Sequence, residues 1–214
     1  MFNDMNTSKI DLLPNLSATV EKARSLAISD ERKGILQVLI DYVQKKLEAG
    51  DQVDLNFICT HNSRRSQFSQ IWAQTAADYF GVPVRCFSGG VEVTAFNERA
   101  VDSIGRSGFR VSKKGDENPK FFVFKSNDAE PITTFSKLFD DSINRSERFA
   151  TVMTCAHADE NCPFIPGAEV RIPVRYQDPK PFDDTPQESE KYDERSMQIA
   201  SEMFYVFSQV GLAK

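Results

Sequence analysis

The feature that most constrains this chain is a change of hydrophobic period before its middle. Residues 29–50, "SDERKGILQVLIDYVQKKLEAG", put Leu36, Leu39, Ile40, Val43 and Leu47 on one helical stripe, with Gly50 as a stop. From Val53 the period falls to two. Val53, Leu55 and Phe57 alternate and Ile58 extends the run, which predicts a buried strand ending near Cys59. Five polar residues follow, and then Ile71, Trp72, Thr75, Ala76 and Tyr79 return to helical spacing until Gly81. The alternation repeats downstream. Val82–Ser88 ("VPVRCFS") reads as a second strand, and Asn97 caps a helix carrying Ala100, Val101 and Ile104 before Gly108. Phe149–Thr154 and Glu169–Val174 read as further strands, and Ala200, Met203, Phe204 and Phe207 line a closing helix that ends near Gly211. Strands alternating with helices imply parallel pairing through right-handed crossovers, hence an α/β fold with a helix-covered sheet.

Two segments stand outside that rhythm. Residues 1–50, with a weaker helix at about Ser17–Ala27 and the stronger one after it, form an N-terminal helical extension ahead of a catalytic-type domain over 51–214. The extension's apolar stripe suits packing on the sheet domain or a homodimer. Pro119–Phe139 has two β-prone arms around "SNDAEP" and reads as a β-hairpin insertion within about 115–145.

Composition narrows the function. The chain has 214 residues, with 26 Lys+Arg against 31 Asp+Glu, so nucleic acid is a poor principal partner, since phosphate backbones are held by clustered positive charge. The opening "MFNDMNTSKIDLL" lacks a basic region followed by an apolar core, and no apolar run reaches bilayer length, so neither export nor membrane insertion is expected and the chain is read as cytoplasmic. Four cysteines (Cys59, Cys86, Cys155 and Cys162) are too few for a disulfide scaffold of this length. There is no C-x2-C pair and only His61 and His157 are available, so no metal site is expected.

The loop "CTHNSRRS" (Cys59–Ser66) carries the chemistry. Between a strand's end and a helix's start, main-chain N–H groups and the positive end of the helix dipole converge on one spot, which binds oxyanions. The same field favours thiolate over thiol and can bring a cysteine pKa to roughly 3.5–7.5. Arg65 can grip two oxygens of a tetrahedral anion, Ser66 can donate to the sulfur, and Asn62 tolerates left-handed backbone. Thr60, His61, Ser63 and Arg64 complete the loop. The competing reading is a cysteine that merely ends a strand beside solvated arginines.

These residues resemble the C-x5-R-S signature, in its C-x-x-N-x-x-R-S form, of the low-molecular-weight protein-tyrosine-phosphatase superfamily. The resemblance implies a three-layer α/β/α fold around a four-stranded parallel sheet, a nucleophile at Cys59 and an anion-binding arginine at Arg65. His61, where relatives usually have a small residue, and the second arginine, Arg64, depart from that pattern. "TCAHADENCP" (Thr154–Pro163) resembles the redox segment of the thioredoxin-coupled arsenate reductases, a branch of the same superfamily. By that resemblance Cys59 attacks arsenate, Cys155 attacks the Cys59–arsenic adduct to release arsenite and leave a Cys59–Cys155 disulfide, and Cys162 passes the oxidation on as a Cys155–Cys162 disulfide for thioredoxin. Asp178-Pro179 resembles the superfamily's acid loop, with Asp183 and Asp184 as solvated competitors. Lys180 and Pro181 follow where tyrosine phosphatases have aromatic residues. Ser88 matches a position that supports the loop or a monovalent cation, while Gln70 replaces a glutamate of some reductases and puts potassium dependence in doubt. No tightly bound cofactor is expected. The alternatives are a phosphatase hydrolysing a phosphocysteine at Cys59, and a non-catalytic oxyanion or phosphopeptide binder. Cys86, inside the second strand, reads as a core residue, and His157 as a surface residue.

Overall fold

A computed structural model describes residues 10–145, 147–161 and 164–211. In chain order the elements are α1 (Pro14–Ser25), α2 (Asp30–Glu48), β1 (Val53–Cys59), α3 (Arg65–Phe80), β2 (Val84–Gly90), α4 (Glu98–Arg106), β3 (Arg110–Lys114), β4 (Lys120–Phe124), β5 (Ile132–Thr134), β6 (Phe149–Met153), α5 (Ala156–Asn161), β7 (Ala168–Pro173) and α6 (Glu188–Ser208). Four strands form a parallel sheet in the order β2-β1-β6-β7. Every residue of β1 and β6 is buried, as central strands covered on both faces require. Alternation divides their side chains between two cores. Leu55, Phe57, Ala150 and Val152 enter the larger one, and Ile58, Phe149 and Met153 enter a smaller one that also holds Cys59 and Cys155. The expected three-layer α/β/α architecture is present.

The N-terminal helices belong to the main core. Ser29 caps α2 by accepting from the Arg32 amide, and acidic residues in its first turn and lysines in its last complement the helix dipole. Leu16, Val20, Leu36, Leu39 and Val43 are completely buried in the larger core. Helix α1 docks on Gly108, whose φ of +99° and missing side chain both matter, because a Cβ there would lie 2.4 Å from the Leu16 amide nitrogen. Of the two expectations for that stripe, packing on the sheet domain is the one that the burial meets.

The hairpin read within 115–145 is part of a larger unit. β4 and β5 pair antiparallel around the predicted turn, and β3, which the sequence reading omitted, adds a third antiparallel strand. β3 is mostly exposed, so it lacks the apolar alternation that marks a strand. After β5 the chain returns to the parallel sheet, where Gly90 donates to the Lys137 carbonyl and accepts from the Phe139 amide, lengthening the β2 edge beside the Cys59 loop.

Candidate active site

Cys59 is the last residue of β1, at the carboxyl edge of the parallel sheet. The loop it opens is sewn to the segment after β2. The Thr60 carbonyl accepts from the amides of Val91 and Glu92, each at 2.9 Å, and the Ser63 hydroxyl donates to Ala95 O at 2.7 Å. Gly90 permits this approach: a Cβ there would lie 2.7 Å from the Asn62 amide nitrogen and 2.8 Å from Thr60 O. Asn62 takes the left-handed conformation expected of it, at φ +47°.

A directed chain of hydrogen bonds ends on the sulfur of Cys59. The Lys137 amide donates to Asn62 Oδ1 at 3.1 Å, Asn62 Nδ2 donates to Ser66 Oγ at 2.8 Å, and Ser66 Oγ lies 3.1 Å from Cys59 Sγ. An amide nitrogen can only donate, so Asn62's oxygen must face Lys137 and its nitrogen Ser66. Ser66 therefore turns its own proton toward the sulfur. Gln67 braces the same loop by donating to Asn62 O and Phe135 O, both at 2.9 Å. No side chain caps the N-terminus of α3, which leaves its first-turn N–H groups available at the loop.

Arg65 folds back over the sheet edge. Its terminal nitrogens donate to Tyr176 O at 3.2 Å and to Asp178 Oδ2 at 2.6 Å, while its buried Nε has no hydrogen-bond partner among the described residues. An unpaired buried donor costs about 1–3 kcal/mol. An oxyanion supplying two oxygens would satisfy it and replace the Asp178 contact. The second support comes from the N-terminal helices. Arg32 forms a fork on Glu202 at 2.9 and 2.7 Å, Glu202 accepts from the Tyr176 hydroxyl at 2.8 Å, and the Arg32 guanidinium stacks 4.8 Å from the Tyr176 ring centroid. Burial, joined by Glu202 and opposed by Arg32, pushes the Tyr176 hydroxyl well above its ordinary range, so it stays a neutral donor and fixes the carbonyl that receives Arg65.

Cys155 lies at the same edge. β1 and β6 run in register to Ile58 opposite Met153, and Thr154 continues the ladder by donating to Ile58 O. Cys155 is buried, its sulfur accepts from the Ala158 amide at 3.4 Å, and it lies 3.6 Å from Thr60 Oγ1. Thr60 also meets His157 Nδ1 at 3.3 Å, so that exposed histidine reaches the loop. Asp159 clamps α5 onto the β7 edge through Arg171, at 2.7 Å, and Arg175. Cys162 lies outside the described residues.

Other residues assigned to the loop face elsewhere. Arg64 donates to the Tyr192 hydroxyl at 2.8 Å and to Asp183 at 3.4 Å, so its guanidinium ties the loop to α6 rather than entering the anion site. Asp183 is correspondingly ion-paired and largely covered, which corrects the expectation of a solvated residue there, while Asp184 pairs with Arg99 yet stays exposed to solvent, as expected. His61 turns outward to Glu92 at 3.1 Å. Ser88 is completely buried and donates to Gln70 Oε1 at 2.6 Å. No cluster of three or more metal-ligating side chains occurs among the described residues, and no helix among them is long and apolar enough to cross a membrane. Sequence reasoning missed Lys137, Gln67 and the Arg32–Glu202–Tyr176 brace, all of which arrive by tertiary contact.

The chain is similar to known proteins. No protein-family model matches it. It is 28% identical over 123 residues, 58% of this chain and 74% of the relative, to an arsenate reductase of Brevibacillus brevis. It is 29% identical over 117 residues, 54% of this chain and 70% of the relative, to arsenate reductase 2 of Staphylococcus haemolyticus. Among solved structures, a low-molecular-weight phosphotyrosine phosphatase of Vibrio cholerae aligns with a TM-score of 0.49 at 13% identity, covering 73% of this chain and 94% of that one. A thioredoxin-dependent arsenate reductase of Corynebacterium glutamicum aligns with a TM-score of 0.37 at 17% identity, covering 88% and 80%.

Proposed function

We propose that this chain, a relative of the arsenate reductases within the low-molecular-weight protein-tyrosine-phosphatase superfamily, reduces arsenate to arsenite through a relay of thiols. The observation that carries this reading is the second sulfur at the loop: Cys155 Sγ lies 3.6 Å from the hydroxyl of the residue next to Cys59. A phosphatase using a phosphocysteine has no chemical need for it.

The reaction balances as follows. The Cys59 thiolate attacks As(V), and a proton from the Asp178 carboxyl lets one oxygen leave as water. Arg65, released from Asp178 by the entering anion, holds two of the remaining oxygens, and the amides at the start of α3 face the negative charge. The Cys155 thiolate then attacks the Cys59 sulfur. A disulfide forms, the S–As bond breaks, and its electron pair stays on arsenic, which departs as arsenite. Cys162 attacks Cys155, expelling the Cys59 thiolate, and the dithiol of thioredoxin reduces the Cys155–Cys162 disulfide. Both partners, the tetrahedral oxyanion and thioredoxin, belong to this proposal.

Cys155→Ser tests it. Thioredoxin-coupled arsenate reduction is expected to fall below detection while slow hydrolysis of a phosphate ester survives; Cys59→Ser is expected to abolish both. Absence of arsenate reduction by the unaltered chain overturns the reading, and robust phosphate-ester turnover with unchanged rates in Cys155→Ser would favour the phosphatase instead.

A further inference from the structure

Lys137 is a buried cation that the thiol chemistry does not use. It follows β5 in the segment that lengthens the β2 edge, and it is 3% exposed. Its Nζ lies 3.5 Å from Ser88 Oγ and 4.8 Å from the centroid of the Phe135 ring. Ser88 gives its proton to Gln70 Oε1 at 2.6 Å, so its lone pairs are what it offers the ammonium. One more acceptor, Gln67 Oε1, lies 3.5 Å from the Ser88 hydroxyl. An ammonium buried with so little compensation is expensive to keep. Burial pushes its pKa down to about 8, with Asp141 opposing the fall, so the group is still mainly charged at neutral pH.

This is the neighbourhood in which the superfamily resemblance implies a monovalent cation, and the residues present do not suit one. The side-chain oxygens at hand are neutral and already engaged: Asn62 Oδ1 by the Lys137 amide and Gln70 Oε1 by Ser88. A metal ion there would also stand beside the ammonium. Two like charges about 4 Å apart repel by about 4 kcal/mol at an effective dielectric constant of about 20.

We propose that Lys137 is a positioning residue whose ammonium takes the place of a monovalent cation beneath the Cys59 loop, so that the chain works without potassium. It acts from two ends. Its amide orients Asn62, and through Asn62 and Ser66 the sulfur of Cys59; its ammonium holds Ser88 against Gln70 and Gln67 on α3, the helix that carries Ser66 and Arg65. The inference rests on Cys59 being the nucleophile, though not on which oxyanion it attacks.

The test compares the unaltered chain, Lys137→Ala and Lys137→Met in potassium chloride and in choline chloride at equal ionic strength. The readouts are turnover and the pH midpoint of iodoacetamide alkylation of the Cys59 peptide, followed by mass spectrometry. Potassium and choline are expected to give the unaltered chain the same turnover within about twofold and the same midpoint. In choline, Lys137→Ala is expected to raise the midpoint by about one pH unit, a tenfold loss of thiolate at lower pH. Potassium is expected to leave the midpoint raised in both Lys137→Ala and Lys137→Met, because the side-chain oxygens there are neutral and already engaged whichever residue stands at 137. Several-fold acceleration of the unaltered chain by potassium overturns the proposal, as does a folded Lys137→Ala with an unchanged midpoint in choline. Should neither variant fold, the salt comparison on the unaltered chain decides alone, potassium indifference standing for the proposal. Alkylation needs no arsenate, so failure of the arsenate assay leaves this test intact.

Discussion

Cys59 and Cys86 lie on adjacent strands and are almost equally dry, at 3% and 6% exposure, yet their surroundings suit the one to the proposed role of nucleophile and make the other a core residue. The parallel register pairs Cys59 with Gly90 and Leu55 with Cys86, which sets Cys86 two repeats of the pleat back from the sheet edge. There its thiol meets the larger apolar core. Burial pushes it well above its ordinary range, with Asp78 and Asp54 adding to the rise and Lys125 opposing it. Cys59 ends its strand, where the Ser66 hydroxyl reaches the sulfur and the uncapped start of α3 faces it. Dryness therefore does not select the reactive thiol. Position along the strand does, because only the last residue meets the donors that a strand-to-helix loop collects.

The sharpest way to break that contrast is to spoil the anion grip while leaving both thiols in place. Arg65→Lys keeps a positive charge but loses the planar fork, including the buried Nε that has no partner among the described residues. Turnover is expected to fall by about 10²–10³-fold, the usual cost of removing an oxyanion donor. Steady-state arsenate reduction, with a thermal melt to show that the fold persists, measures it. A loss under tenfold would mean that Arg65 holds Asp178 and Tyr176 for structural reasons alone.

The two cysteines also differ in how plainly the sequence displays their roles. The Cys59 loop is legible because its parts are local: Ser66 and Arg65 lie within seven residues of the sulfur, and the switch from strand to helix period fixes their common edge. Cys86 is legible from its place inside an apolar alternation. Contacts made across the fold leave no such trace. Thr60 reaches Cys155 across 95 residues only because β1 and β6 pair, and Lys137 reaches Asn62 across 75 residues through an antiparallel unit whose first strand has almost no apolar alternation. Arg64 shows the converse failure. Its charge suggests the anion site, but Tyr192 and Asp183, more than a hundred residues away, take the guanidinium. Residue type declares what a side chain can bind, and the tertiary fold decides which partner arrives.

A smaller loss is expected where one hydrogen bond to the nucleophile is removed. Ser66→Ala deletes the donor at 3.1 Å from Cys59 Sγ and leaves Asn62 Nδ2 without its acceptor. A hydrogen bond to a charged group contributes about 1.5–3 kcal/mol, so a tenfold or greater drop in the rate of Cys59 alkylation at pH 7 is expected. Alkylation as fast as in the unaltered chain would show that the loop amides alone hold the thiolate, and the contrast with Cys86 would then rest on main chain rather than on Ser66.

The smallest effect on activity belongs to the other side of the comparison. Cys86→Ala is expected to leave arsenate reduction within about twofold and to cost about 1 kcal/mol of stability at pH 7.5, through the lost buried sulfur. Its signature is the pH dependence of that cost. Because folding raises the Cys86 pKa, the unfolded chain releases this proton above about pH 8.5 while the folded chain keeps it, so stability declines by about 1.4 kcal/mol per pH unit until the folded thiol also ionises. The alanine variant has no such proton to lose. The stability gap between the two proteins should therefore close, and then reverse, between pH 7.5 and 10, while Lys137 and the buried tyrosines titrate in both and drop out of the difference. Urea unfolding at the two pH values measures the gap. A constant gap would mean that the Cys86 thiol is not raised by its surroundings, and burial would lose its claim to separate the inert cysteine from the reactive one.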